Sequence, residues 1–362
     1  MSHERQLLKQ PSISRIAIVR SLPGLGDLLC AVPAFRAIRT AFPQAQITLI
    51  GLPWARSFLE RFSHYFNEFV EFPGYPGIPE VPPSVHELPK FLTSVQEQHF
   101  DLALQMHGSG IVINSFTALL GARINAGFYL PGHYCPDPDY FLLYPEDEPE
   151  VWRHLRLMEF LGIPLQGDEL EFPLQDEDFT ALQQILDNYV CIHPGASLPE
   201  KRWSLENFAI VADAIAAHGY QVVLTGTTSE ADLTQSLAKM MRFKPINLAG
   251  KTSLGAMAAL LSKANLLVCN DTGVSHLAAA LRVKSVVIFT NSSLSRWAAL
   301  NREIHRSISP SFIQITDVEE ELLESYTTTS NTEFGGFYFP VTPEMVMAQV
   351  EDLLAKEVVN VT

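Results

Sequence analysis

Basic residues are in short supply. Lys and Arg number 25 against 40 Asp and Glu, and the net charge is −15. A chain this acidic offers no broad basic face, which argues against nucleic acid as a partner. Cysteine is scarce as well. Cys30, Cys135, Cys191 and Cys269 show no metal-ligand spacing, and Cys191 and Cys269 sit inside apolar strand-like runs. Free, mostly buried thiols in a reducing cytoplasm are the expectation. No apolar run approaches the roughly 18 residues of a membrane span. Met1 to Arg15 is polar and does not read as a signal peptide. Charged residues make up only 18% of the chain and apolar ones 47%, so it can bury large cores and is not of disordered composition. At 362 residues it has the length of two domains.

The charge is unevenly spread. Residues 1–40 carry Arg5, Lys9, Arg15, Arg20, Arg36 and Arg39 against Glu4 and Asp27. Residues 131–189 carry fourteen acids against Arg153 and Arg156, and a second acidic run spans Asp317 to Glu324. The net charge therefore says little about any one cleft, and a phosphorylated partner would have to be met by the basic first 40 residues.

Short β-rich runs alternate with helical patterns. Strand candidates are Ile16–Arg20, Ile47–Gly51, Asp101–Met106, Val190–His193, Gln221–Thr225, Leu266–Cys269 and Ser285–Phe289. Their continuous apolar character is that of strands buried on both faces. Helical stretches lie between them, at Leu28–Ala41, Val112–Leu120, Leu205–His218, Glu230–Met241, Leu254–Ser262 and Val274–Leu281. This alternation predicts a doubly wound α/β architecture with parallel sheets. The pattern breaks in the middle. Residues 131–150 read as a surface loop, 151–163 as a helix ended by Gly162 and Pro164, and 164–178 as acidic and polar. The domains are expected to be 1–175 and 176–341, with a closing helix in 342–362 that packs back on the N-terminal domain. Segment 305–341 shows no strong period.

Four polar loops follow predicted strands and precede predicted helices. The first is Arg20-Ser-Leu-Pro-Gly-Leu-Gly-Asp-Leu-Leu29. Gly24 and Gly26 permit a tight turn, and Asp27 falls in the first turn of the helix, either as a reactive carboxylate or as a plain N-terminal cap. The pattern lacks the third glycine of a dinucleotide fingerprint and the Lys-Ser/Thr of a Walker A loop. The second is His193-Pro-Gly-Ala-Ser197 with Lys201-Arg-Trp203. Gly195 and Ser197 can offer an amide and a hydroxyl to a phosphate, and Lys201 a charge on a flexible stem. Taken alone it also reads as an ordinary loop with a solvated Lys-Arg pair. Ser204 is placed to cap the next helix. The third is Asn270-Asp-Thr-Gly-Val-Ser-His276. Thr272 and Gly273 can give N–H donors at a helix N-terminus. Asp271 can accept from sugar hydroxyls. His276 is a diphosphate donor or a satisfied core histidine. The fourth is Gly226-Thr-Thr-Ser-Glu230, where Glu230 is a ribose acceptor or a favourable first-turn carboxylate. In open α/β sheets, strand ends of this kind are where ligands bind.

Taken together, the motifs resemble glycosyltransferase family 9, the ADP-heptose:lipopolysaccharide heptosyltransferases. The resemblance rests on Gly24-Leu-Gly-Asp27 with Pro33, and on His193-Pro-Gly-Ala-Ser197 with Lys201-Arg-Trp203. It rests too on Leu248-Ala-Gly-Lys-Thr-Ser-Leu254 and Asn270-Asp-Thr-Gly-Val-Ser-His-Leu-Ala278. It runs from about residue 15 to 300 and takes in the final helix. The chain departs from the pattern after Ser285–Phe289, where Thr290-Asn291-Ser292 replaces the usual Gly and Thr.

The resemblance implies a GT-B fold, two Rossmann-like domains facing across a cleft, with the acceptor on the first and the donor nucleotide on the second. It implies inverting transfer of a sugar, heptose from ADP-heptose, to a lipopolysaccharide-core or other glycan acceptor, with no cofactor and no obligatory metal. Asp27 then matches the catalytic base, and Lys201 a contact near the donor phosphate. Glu230 matches a ribose contact, Asp271 a contact to the donor sugar, and Thr272 and Gly273 the diphosphate turn. The expected setting is the cytoplasm, with at most peripheral membrane contact at the inner face of the inner membrane. The rivals are a transferase of the same fold with another donor or acceptor, and a catalytically silent sugar-nucleotide-binding protein.

Overall fold

The computed structural model describes Leu7 and residues 13–180, 187–314, 330–331 and 336–355. The chain divides into two compact units, Met1–Pro173 and Leu174–Thr362.

The first unit is built on six parallel strands: β1 Arg15–Val19, β2 Gln46–Gly51, β3 Glu68–Glu71, β4 Leu102–Gln105, β5 Ile124–Tyr129 and β6 Phe141–Leu143. Their order is β3-β2-β1-β4-β5-β6. Ile18 pairs with Leu49 on one side and Leu104 on the other, so the central strand is β1 and the order reverses between β1 and β4. Ile16 to Val19 are fully buried because helices cover both faces. Three of the six strands were not legible. β3 reads Glu-Phe-Val-Glu at an edge, half exposed, without a continuous apolar run. β5 is interrupted by Asn125 and Gly127. β6 is three residues inside the Pro- and acid-rich stretch expected to be loop. Helix Leu25–Ala41 leaves the end of β1 and packs against helix Glu150–Phe160.

The second unit repeats the plan: β7 Tyr189–His193, β8 Gln221–Leu224, β9 Ile246–Asn247, β10 Leu266–Asn270, β11 Ser285–Ile288 and β12 His305–Ile308. The order is β12-β11-β10-β7-β8-β9, all parallel, with the reversal between β7 and β10. Each unit thus has the strand order of a nucleotide-binding Rossmann sheet.

Two expectations are corrected. The closing helix, Pro343–Ala355, belongs to the second unit. Val346, Val350 and Leu353 form its buried stripe and join Val341, Trp203, Phe208 and Ile308 in one core. The Trp203 indole N–H donates to the Val341 carbonyl at 3.0 Å, and Lys284 Nζ to that of Leu353 at 2.8 Å. The stripe at i, i+4 and i+7 is satisfied by these neighbours in its own unit. Segment 305–341 is not devoid of regular structure either. It supplies β12 and an antiparallel sheet in which Gly336–Phe339 lies between Ser311–Gln314 and Ser330–Asn331. The acidic run 317–324 lies outside the described residues. Among the described residues no helix is long and apolar enough to cross a membrane.

Candidate active site

In the first unit the strand ends around the β1–β4 reversal carry an unexpected polar cluster. Helix Leu25–Ala41 begins after Gly24, whose place at the cap carries no side-chain hydrogen bond. Asp27 is therefore not the cap. It lies in the first turn, half buried, with its carboxylate over Gly24: a Cβ on Gly24 would overlap Asp27 Oδ2. The glycine is needed for that close approach, since its φ of −88° suits any residue. Gly26 is buried in the same turn.

Beneath the loop lies Arg20, the last residue before it, with its side chain wholly buried. Its Nε donates to the Asp27 carbonyl at 2.9 Å and its Nη2 to the same oxygen. Nη1 donates to the carbonyl of Met106 at the end of β4. Glu150 balances the guanidinium at 3.6 Å and also faces Arg153 and His154, each at 3.5 Å. One buried fork thus ties the loop of Asp27 to the loop that follows β4. In the sequence Arg20 stands only as the first residue of the Asp27 motif. Its only signal was an arginine closing an otherwise apolar strand.

In the second unit, loops after β7, β8, β10 and β11 are bound to one another. Lys201 Nζ stands 3.2 Å from Asp271 Oδ2, so two residues read as separate contacts form one ion pair. Asp271 is 4% exposed and Lys201 22%, which leaves the ammonium a path to solvent. Asn270, fully buried at the end of β10, clamps the β7 loop. Its Oδ1 accepts from the Trp203 N–H at 2.9 Å, and its Nδ2 donates to the Pro194 carbonyl at 2.8 Å. Arg202 is turned back on its own loop, donating to the Ala196 carbonyl at 2.8 and 3.0 Å. Ser204 caps the next helix by accepting from the Asn207 N–H.

Glu230 serves as the capping carboxylate of its own turn. Its Oε2 accepts from the Thr227 N–H and hydroxyl, each at 2.8 Å, closing a capping box on the turn Thr228–Glu230. Its Oε1 lies against Gly195, where a Cβ would overlap it. Burial alone would raise the Glu230 carboxyl. The Thr227 donors, His193 and Arg202 outweigh it and hold the group below its ordinary value. His193, buried 3.8 Å from Glu230, is pushed down by that burial against the pull of the carboxylate. Its Nδ1 meets the Thr225 hydroxyl at 3.1 Å. Gly195 is buried and Ser197 exposed on the same loop.

Thr272 is the N-cap of helix Gly273–Ala280, which places Gly273 at its first position. His276 is buried in that helix, edge-on to Trp297 with ring centroids 5.9 Å apart. The atypical Thr290 has a clear local use: its hydroxyl donates to the Glu200 carbonyl at 3.0 Å and pins the β11 loop to the Lys201 loop. Lys201, Glu230, Asp271 and Thr272 thus all stand at the ends of strands β7, β8 and β10, which neighbour one another in the sheet.

Residues 89–327, about two thirds of the chain, match the family model for glycosyltransferase family 9 (heptosyltransferase). The chain belongs to glycosyltransferase family 9.

Among curated relatives of this family 9 chain is the lipopolysaccharide core heptosyltransferase OpsX of Haemophilus influenzae. It is 27% identical over 148 residues, covering 40% of this chain and 43% of the relative. That match spans less than half the length of the relative. Lipopolysaccharide heptosyltransferase 2 of Escherichia coli is 27% identical over 292 residues, covering 74% of this chain and 81% of the relative. Among solved structures, that of the E. coli ADP-heptose lipopolysaccharide heptosyltransferase II superposes with a TM-score of 0.70 at 21% identity, over 95% of this chain and 99% of the other. This family 9 chain therefore has the two-domain α/β fold of the GT-B class. Asp27 lies ahead of the span covered by the family model, so its role rests on its own chemistry.

Proposed function

We propose that the protein is an inverting glycosyltransferase that moves heptose from ADP-heptose to a lipopolysaccharide-core or related glycan acceptor. What carries the reading is the Lys201–Asp271 pair, set beside Glu230 and the Thr272–Gly273 turn at the strand ends of the second unit. That set matches the chemistry of a nucleotide sugar. A carboxylate such as Glu230 accepts from ribose hydroxyls. Lys201 and amides of the turn carry the diphosphate, and Asp271 accepts from hydroxyls of the donor sugar. The relatives named for heptosyl transfer and ADP-heptose point to the sugar and the nucleotide.

In this reading Asp27 takes the proton from the acceptor hydroxyl, a weak nucleophile until a positioned base does so. The hydroxyl oxygen forms its bond to the anomeric carbon as the bond to the diphosphate breaks on the opposite face, through an oxocarbenium-like state. Charge then gathers on the leaving ADP. Lys201 and the Thr272–Gly273 amides stabilise it, so the reaction needs no cofactor and no obligatory metal. A lipid-linked acceptor would bring the protein to the cytoplasmic face of a membrane.

A thermal-shift screen of nucleotide sugars tests the donor, since a ligand bound to the folded state raises the melting temperature by mass action. ADP-heptose is expected to shift it where UDP- and GDP-sugars do not. Activity that persists in EDTA and a product of inverted anomeric configuration complete the reading. Full loss in EDTA or a retained anomer overturns the mechanism.

A further inference from the structure

The first unit holds a second polar pair that the chemistry above does not use. His107 follows β4, one residue past the carbonyl that Arg20 grips, and is 8% exposed. Its Nδ1 faces the Ser21 N–H at 3.3 Å and the Ser21 hydroxyl at 3.0 Å. A backbone N–H can only donate, so Nδ1 is an acceptor and the proton of the neutral ring sits on Nε2. Buried Gln105 donates to the carbonyls of His107 and Gly108 and accepts from the Phe128 N–H at 2.9 Å, which fixes the loop. Imidazole orientation and tautomer are thereby set in advance.

On the Nε2 side stands Glu80, with Oε1 at 3.9 Å, too far for a direct hydrogen bond. Its Oε2 is buried and has no hydrogen-bond partner among the described residues. Nε2 and Oε1 are close enough together that one hydroxyl oxygen lying beside both can hydrogen-bond to each. The two side chains keep a little exposure, 9% for His107 and 14% for Glu80, so the pair is reached from solvent. It adjoins the loop of Asp27, since Ser21 belongs to that loop and Arg20 ties the two together.

We propose that His107 and Glu80 form a subsite for an uncharged hydroxyl of the acceptor sugar, His107 Nε2–H donating to its oxygen and Glu80 accepting its hydrogen. The inference rests on the reading of the first unit as the acceptor side. It narrows that reading, because the subsite selects an unphosphorylated sugar unit. Burial and the nearby Arg20 guanidinium hold His107 well below its ordinary value, at about 4, so its ring is neutral at neutral pH. Arg20 is itself buried and committed to Asp27, Met106 and Glu150, so it does not reach a ligand. A phosphate placed here would meet a carboxylate and one neutral donor, an arrangement that disfavours it.

The test is binding of lipid-free core oligosaccharide to the full chain by titration calorimetry. One sample keeps its phosphates and the other is dephosphorylated. The dephosphorylated sample is expected to bind about tenfold tighter. His107→Ala and Glu80→Gln should each weaken that binding about tenfold, as loss of one good hydrogen bond does, with ADP affinity unchanged. Glu80→Gln should also narrow the gap between the samples. His107→Gln, which keeps a donor, should restore part of the binding, which a general loss of structure would not allow. Tighter binding of the phosphorylated sample, no binding of either, or variants indistinguishable from wild type would overturn the subsite. Heptose transfer on the same oligosaccharides separates the two ideas. Transfer that ignores His107 and Glu80 leaves the function standing and removes the subsite. Subsite-dependent binding without transfer does the reverse.

Discussion

The Asp27 carboxylate occupies the space that any side chain on Gly24 would need. Because the Gly24 backbone lies in the ordinary extended region, Gly24→Ala should fold. Its methyl group would displace the carboxylate instead. A misplacement of this size costs on the order of tenfold to a hundredfold in kcat. Donor affinity and melting temperature should stay near wild type. Asp27→Ala should abolish transfer altogether with the donor still bound. Steady-state kinetics beside ADP-heptose titration check both, and strong residual turnover in Asp27→Ala removes the base assignment.

The Lys201–Asp271 pair predicts an asymmetry between nucleotide and sugar. Lys201→Ala should weaken ADP and ADP-heptose alike, by about tenfold or more, because it strips charge from the diphosphate. Asp271→Ala should weaken ADP-heptose much more than ADP. Lys201→Ala also leaves the buried Asp271 carboxylate without its cation, so the double variant should be more stable than Lys201→Ala alone. Equal losses for ADP and ADP-heptose in Asp271→Ala would remove its sugar contact.

Asn270 is the buried clamp of the donor loops. Asn270→Ala leaves the Trp203 N–H and the Pro194 carbonyl unpaired in the interior. The cost should be about 2–4 kcal/mol, read from denaturant unfolding, with weaker ADP binding because the β7 loop is no longer held. Asn270→Asp keeps the acceptor but sets a carboxylate against carbonyls, and should be no better.

Acid should destabilise the fold through its buried histidines. Burial and Arg20 hold His107 and His154 at about 4, and burial and Arg302 hold His305 there. Unfolded histidine titrates near 6.5, so between these values the unfolded chain takes up protons that the folded chain refuses. The stability is present above about pH 6.5 and is lost as pH falls towards 4. Each ring should contribute about 1–2 kcal/mol of loss between pH 7 and 5. Denaturant midpoints across that range measure it, and His154→Leu should flatten the curve. A midpoint that does not move with pH would contradict the neutral buried rings.

Much of the fold was legible because the central strands are continuous apolar runs separated by capped helices, as at Ile16–Val19, Val190–Ile192 and Leu266–Cys269. Edge strands such as β3 and β6, short and half exposed, carry little period to read. The polar loops were legible for a related reason: Gly24-Leu-Gly-Asp27 and Asn270-Asp-Thr-Gly273 are local motifs, with glycines and carboxylates only a few residues apart.

By itself the sequence determined two doubly wound α/β domains, the helix-opening loops that carry Asp27 and Thr272, and a composition poor in basic surface. Those properties depend on neighbours along the chain. Only the tertiary structure decided that Arg20 grips both Asp27 and Met106, that Lys201 and Asp271 are one pair seventy residues apart, and that Glu80 faces His107. It also decided that the closing helix completes the core of the second unit. Parallel sheets bring strand ends together from distant parts of the chain, and no local period records which side chains then meet.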